Sequence, residues 1–170
     1  KALKKGFTSV NVTQLAQKDV YQSNSVNATT KDAIINAGNL NIEINGVTET
    51  FDTTNMTYAQ LSDAINSKAG ISASVEQVGS DSFRLIIKSE TSGIDNALSI
   101  SGTASQSLGF TTDGTAINST NHILEAKNMI AKVDGVEYNV SSNNITVDGL
   151  KITANKVGDS TINVVEDNSQ

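Results

Sequence analysis

Asn45-Gly46 stands between two alternating runs, Leu40-Asn41-Ile42-Glu43-Ile44 and Val47-Thr48-Glu49-Thr50-Phe51. A two-residue Asn-Gly connection is a strong hairpin signal, because both central residues of a type I′ turn need positive φ and these two tolerate it. The spacing predicts a register in which Ile44 opposes Val47, Ile42 opposes Glu49 and Leu40 opposes Phe51. One face of the hairpin is then largely apolar.

A helix is predicted directly after it. Thr57 and Gln60 have capping-box spacing, and Met56 and Leu61 stand at the hydrophobic-staple positions. Tyr58, Leu61, Ala64 and Ile65 make one apolar stripe, and Gly70 is placed to end the helix in a left-handed cap. Ile71, Ala73 and Val75 alternate with polar residues, Gly79-Ser80-Asp81-Ser82 reads as a turn, and Phe83, Leu85 and Ile87 alternate again. A short strand over Leu98 to Ser101 and the run Leu108-Gly109-Phe110 close a block from about Asn36 to Phe110. Its order is β-β-α-β-β with a short final strand.

Outside this block, Val10 and Val12 alternate with Ser9 and Asn11. Met129, Ala131 and Val133 lead through Asp134-Gly135 to Val136, Tyr138 and Val140 on the same face. Leu150, Ile152 and Ala154 form a further strand, and Ile162 with Val164 the last. Two Asn/Ser/Thr-rich stretches, Ser23 to Thr30 and Thr111 to Asn121, read as linkers. The strands near Val10 and Tyr21 gain partners only by joining the C-terminal strands. The expectation is an α+β protein, mostly antiparallel β, with one main helix near 57–69. Residues 1–35 plus 121–170 form one β-rich domain, and residues 36–120 are inserted as a second.

Composition agrees with thin modules. Hydrophobic residues make up 37% of the 170, aromatics 4% and charged residues 18%, below the apolar share usual for a globular domain. The formal net charge of -6 argues against a nucleic-acid footprint. Lys1, Lys4 and Lys5 form the one basic cluster and read as a solvated terminus. With no Cys, disulfide and thiolate chemistry are excluded; with no Pro, turns rely on Gly, Asn and Asp. No apolar run approaches the ~20 residues of a membrane helix, and Lys1-Ala2-Leu3-Lys4-Lys5 lacks the apolar region of a signal peptide. No membrane or nucleic-acid partner is expected.

Catalytic chemistry finds little to work with. His122 is the sole histidine, so a Ser-His-Asp set or a His-based zinc site would depend on it, and it reads as a linker residue. The Asp-Gly pairs at Asp113, Asp134 and Asp148 lack calcium-loop spacing and read as turns. Sequons at Asn11, Asn27, Asn55, Asn118, Asn139 and Asn144 fit chance matches in so Asn-rich a chain; Glu137-Tyr138-Asn139-Val140-Ser141 also carries the acidic residue of bacterial N-glycosylation sites. No catalytic, cofactor-binding or metal residues are assigned, and interface residues are not readable. Exposed strand edges are the candidate interaction surfaces.

The order of these motifs resembles the flagellar filament-capping family, hook-associated protein 2. Gly38-Asn39-Leu40-Asn41-Ile42-Glu43-Ile44-Asn45-Gly46 is similar to its G-x-L-x-I-x-V-x-G opening. Leu61-Ser62-Asp63-Ala64-Ile65-Asn66, Phe83-Arg84-Leu85-Ile86-Ile87-Lys88-Ser89, Asn96 to Ile100 and Leu108-Gly109-Phe110 match the rest of the hook IN block, which flagellins also carry. Ala131 to Glu137 with Ser141-Ser142-Asn143-Asn144-Ile145 resembles the more discriminating DGV…RSSN-I block, with Val140 where the family has Arg. Gly149-Leu150-Lys151-Ile152-Thr153-Ala154 and Val12-Thr13-Gln14-Leu15-Ala16-Gln17 extend the match to nearly the whole chain.

The resemblance implies a non-enzymatic head fragment of the cap, exported through the flagellar channel to the extracellular filament tip. Implied partners are flagellin, whose folding and polymerisation it promotes, and copies of itself in a ring. Coiled-coil terminal helices lie outside this chain, so the fragment alone is expected to be monomeric. A host surface is a further partner for an exposed tip protein. Rival readings are a flagellin outer domain and a surface adhesin or glycan-binding module; the DGV…SSN block disfavours the first and the shortage of aromatic residues the second.

Overall fold

The structure is a computed structural model that describes residues 6–164; the side chains of Phe7, Asn163 and Val164 and the Lys1, Lys4 and Lys5 cluster lie outside the described residues. β1 (Gly6–Gln14), β2 (Val20–Gln22), α1 (Ala28–Lys31), β3 (Asn39–Ile44), β4 (Val47–Asp52) and α2 (Tyr58–Asn66) come first. β5 (Ile71–Gly79), β6 (Ser82–Ser89), β7 (Ser99–Ser101), α3 (Thr103–Leu108) and β8 (His122–Leu124) follow. β9 (Met129–Val133), β10 (Val136–Val140), β11 (Asn144–Val147), β12 (Leu150–Thr153) and β13 (Gly158–Val164) complete the described chain. Every strand pairing among them is antiparallel.

The chain divides into two compact units: residues 1–17, 92–94 and 126–170, here the outer unit, and residues 18–91 and 95–125, the middle unit. The outer unit has a sheet in the order β10-β9-β1-β13 and a separate β11-β12 hairpin. Alternation along β1 and β9 sends Val10, Val12, Met129, Ala131 and Val133 inward, where Ile145, Ile152 and Ala154 of the hairpin side close the core. The middle unit has sheets β5-β6-β2-β8 and β4-β3-β7. Its core gathers Leu40, Ile42, Leu61, Ile65, Leu85 and Ile87, all fully buried.

The first hairpin has the register its turn dictates: Ile44 faces Val47, Ile42 faces Glu49 and Leu40 faces Phe51. Asn45 and Gly46 take φ of 52° and 77°. The outer unit uses the same solution twice, at Asp134-Gly135 (49° and 86°) and Asp148-Gly149 (50° and 78°). β11 was not anticipated as a strand; the Asp148-Gly149 turn supplies it by pairing Val147 with Leu150 and Ile145 with Ile152. On β10, Val136 shares a face with Tyr138 and Val140 but sits at the strand end, 57% exposed.

α2 starts with a complete capping box. Gln60 N–H donates to Thr57 Oγ1 at 3.2 Å and Thr57 N–H donates to Gln60 Oε1 at 2.9 Å. Thr57→Ala is expected to lower stability by about 1 kcal/mol, read as a lower urea midpoint with an unchanged slope. The helix ends at Asn66, short of Gly70. Two side chains stop it: Ser67 Oγ donates to Ala64 O (2.6 Å), and the Asn66 amide turns away to bond both N–H and C=O of Ala73 (2.8 and 2.7 Å). Gly70, at φ 84°, instead serves the turn into β5.

Other sequence expectations change for reasons of long-range pairing. The strand at Tyr21 belongs to the middle unit, with Val20, Tyr21 and Gln22 opposite Lys88, Ile87 and Ile86. The observed boundaries therefore fall near 17/18 and 125/126, where the sequence put them at 35/36 and 120/121. The two supposed linkers are folded parts of this unit. Ser23 is fully buried, exchanging bonds with Leu85 through its N–H and Oγ, and Arg84 Nη1 donates to Ser23 O at 2.8 Å. In the second segment Thr111 and Asn121 are buried, each 3% exposed. Ser, Thr and Asn side chains there satisfy backbone groups that an apolar loop would leave unpaired. α3 was also unforeseen: only six residues long, it starts at Gly102 with no side-chain cap.

Candidate functional site

His122 does not behave as a linker residue. It opens β8, and its ring stacks on Tyr21 with centroids 4.1 Å apart and planes 6° from parallel. Its Nε2 meets Asp19 Oδ1 at 2.5 Å. Asp19, 2% exposed, accepts the Leu98 N–H on Oδ2 at 2.8 Å. The Tyr21 hydroxyl donates to Leu98 O at 3.3 Å. Asp19 and Tyr21 thus hold both backbone groups of Leu98, just before β7, and His122 contacts both of them. A buried carboxylate persists only when paired and hydrogen-bonded, and this one is.

The same residue types make a nucleophilic triad when a hydroxyl faces the free imidazole nitrogen. Here Ser89 Oγ instead accepts the Asp19 N–H at 2.9 Å, so the arrangement binds strands together. Burial, with the nearby Asp19 and Glu125 carboxylates, pushes the Tyr21 phenol well above its ordinary value, and burial alone raises Tyr58. Folded protein keeps protons on these phenols that the unfolded chain releases above pH ~10. Their contribution is complete below that pH and is lost as pH rises beyond it. Tyr58→Phe removes one such group, so its alkaline unfolding, followed by circular dichroism, is expected at higher pH than the parent's; an unchanged transition would contradict the assignment.

The Asp-Gly pairs act as turns. Asp113 Oδ1 accepts from Thr115 N–H, Thr115 Oγ1 and Ala116 N–H at 2.7–3.0 Å, and these bonds hold its carboxyl below the usual range. Asp134 Oδ1 accepts the Ser9 N–H at 2.9 Å; Asp148 starts the β11-β12 turn. The sequon asparagines are mostly structural. Asn11 bonds Asp159, Asn27 caps α1, Asn118 Nδ2 donates to Gly109 O, and Asn139 and Asn144 accept from Asn128 and Thr153. Asn55 is exposed in a 3₁₀ turn.

Two motifs gain physical meaning. Asn143, in the Ser141-Ser142-Asn143 run, accepts the Ala16 N–H at 2.7 Å and donates to Ala16 O at 3.3 Å, standing in for a strand beside residues 15–17. Gly109, in Leu108-Gly109-Phe110, ends α3 at φ 94°. A Cβ there would lie 2.4 Å from the Asn24 amide, so only glycine fits. Val140 pairs with Met129.

Interaction surfaces are available at sheet edges. β8 is an edge strand with Ile123 and Leu124 46% and 43% exposed. In the outer unit a cavity of about 210 Å³ runs along edge strand β13, floored by Val10, Val12 and Ile152.

No family model matches the chain. It is 31% identical over 150 residues to flagellar hook-associated protein 2 of Escherichia coli O157:H7, covering 83% of this chain and 32% of that protein. Against flagellar hook-associated protein 2 of Campylobacter jejuni it is 30% identical over 206 residues, covering 94% and 31%. The crystal structure of the D2-D3 domains of the flagellar cap protein FliD from Escherichia coli matches with a TM-score of 0.77 at 28% identity, over 97% of this chain and 91% of that one. The chain matches the D2-D3 head region of the flagellar cap proteins. It spans about a third of the length of the hook-associated protein 2 relatives. The hook-associated protein 2 motifs read from the sequence fall on the elements described above: the opening on β3, the Phe83 to Ser89 run on β6, and the Ser141 to Ile145 block on β11 and the loop before it.

Proposed function

We propose that this chain forms the head of a flagellar filament cap, a structural part that promotes flagellin folding and polymerisation at the filament tip. The observation that carries the reading is the near full-length structural match to the cap-protein head region at 28% identity. The work is mechanical and steric, and the Asp19–His122–Tyr21 cluster serves the fold and not catalysis. Flagellin and sister copies in a ring are the partners, at an extracellular site reached by export. Ring formation belongs to terminal segments outside this chain. Light scattering tests that division: the full-length protein is expected to oligomerise and this fragment to stay monomeric. A ring built by the fragment alone would contradict it.

The middle unit acts as an inserted, self-sufficient domain. Supporting this, the chain on either side of it is paired, Gln17 exchanging backbone bonds with Lys127 at 2.9 and 3.0 Å. A fragment of residues 18–125 is expected to unfold cooperatively in urea; a non-cooperative transition would sink the idea.

A further inference from the structure

We propose that Asn45 is a site of spontaneous deamidation, a chemical modification confined to the tip of the first hairpin. Asn45-Gly46 is the only Asn-Gly pair in the sequence. The backbone nitrogen of Gly46 attacks Asn45 Cγ; the new C–N bond closes a succinimide, the Cγ–Nδ2 bond breaks, and ammonia leaves with the proton of the attacking nitrogen. Water then opens the ring. Cleavage on the side-chain carbonyl gives aspartate, and cleavage on the backbone carbonyl gives isoaspartate.

Three observations select this position. First, the attacking residue lacks a Cβ, and nothing lies within 4 Å of where one would be. Second, Asn45 and Gly46 are both exposed at a turn between β3 and β4, so water reaches the ring. Third, the Asn45 amide is held loosely, donating through Nδ2 to the Asn96 side chain at 3.2 Å. Among the described residues, the asparagines followed by serine, the next least hindered class, are held more firmly. Asn66 is locked on both backbone groups of Ala73, Asn118 bonds Gly109 O and the Thr120 N–H, and Asn24 accepts from buried Asn121.

The two products differ in consequence. Asp134 and Asp148 occupy the equivalent turn position at φ 49° and 50°, so aspartate at 45 preserves the hairpin and adds one negative charge. Isoaspartate lengthens the backbone between Ile44 and Val47, so the pair beside the turn is lost while the pairs toward Leu40 remain.

The test is peptide mapping by mass spectrometry of the folded protein held at mildly alkaline pH, beside a synthetic peptide of residues 40–51 and the Asn45→Asp variant. Amide-to-acid conversion at Asn45 is expected to run ahead of every other asparagine and to give two chromatographically distinct products. Isoaspartyl methyltransferase should label the aged parent and leave fresh Asn45→Asp unlabelled. The proposal is overturned if Asn45 keeps its amide in the folded protein while the peptide converts, or if any other asparagine converts first.

Discussion

Asp19→Ala is expected to lower stability by about 2–6 kcal/mol, the scale set by orphaning two buried hydrogen-bond donors at about 1–3 kcal/mol each. Asp19 Oδ1 and Oδ2 serve His122 Nε2 and the Leu98 N–H, and the carboxylate is 2% exposed. Truncation leaves both donors without their acceptor inside a closed region, and each orphaned group carries its own desolvation cost. Asp19→Asn keeps an acceptor for Leu98 and is expected to lose less. Urea unfolding of both variants, with hydrogen exchange at the Leu98 amide, separates the two contributions. Equal losses, or a Leu98 amide protected as in the parent, would mean that the Asp19 clamp is not what holds β7 in place.

Leu85→Ala is expected to cost about 2–5 kcal/mol, the range for emptying a fully buried leucine site. Leu85 is central in β6, opposite Val75, and its backbone is tied to Ser23 on the other side. The surrounding strands are therefore pinned and cannot collapse into the space, which places the cost in the upper part of that range. Val78→Ala is the control: Val78 is 51% exposed near the end of β5, and its loss is expected within about 0.5 kcal/mol. A Leu85→Ala urea midpoint equal to that of Val78→Ala would remove Leu85 from the core.

These two sites were unequally legible in the sequence. Leu85 lies in a period-two run, so its burial follows from alternation alone, as does that of Val10, Ile42 and Ile87. Two of the three type I′ turns were equally local, Asn45-Gly46 and Asp134-Gly135 each fixing the register of its own hairpin; the Asp148-Gly149 hairpin was not, because β11 does not show in the sequence as a strand. Asp19 and His122 were not legible. They are 103 residues apart and meet because β2 pairs with both β6 and β8. Nothing in the Leu15 to Asp19 stretch signals a buried carboxylate, and a lone histidine in a polar context looks solvated.

The polar segments misled for a related reason. Linkers and buried polar loops share a composition of Asn, Ser and Thr; they differ in whether the side chains find backbone partners. Ser23 and Asn121 find partners on distant elements, so the segments fold. Asn143 shows the same effect inside a recognised motif: the run was visible, but its bidentate hold on Ala16 required the fold. The insertion boundaries shifted accordingly, since Tyr21 is drawn into the core of the middle unit.

The cap assignment is tested most directly in cells from which the full-length gene has been deleted. Flagellin is then expected in the medium as unpolymerised monomer, filaments are expected to be missing, and the intact gene is expected to restore them. Filaments of normal length on the deletion strain would contradict it.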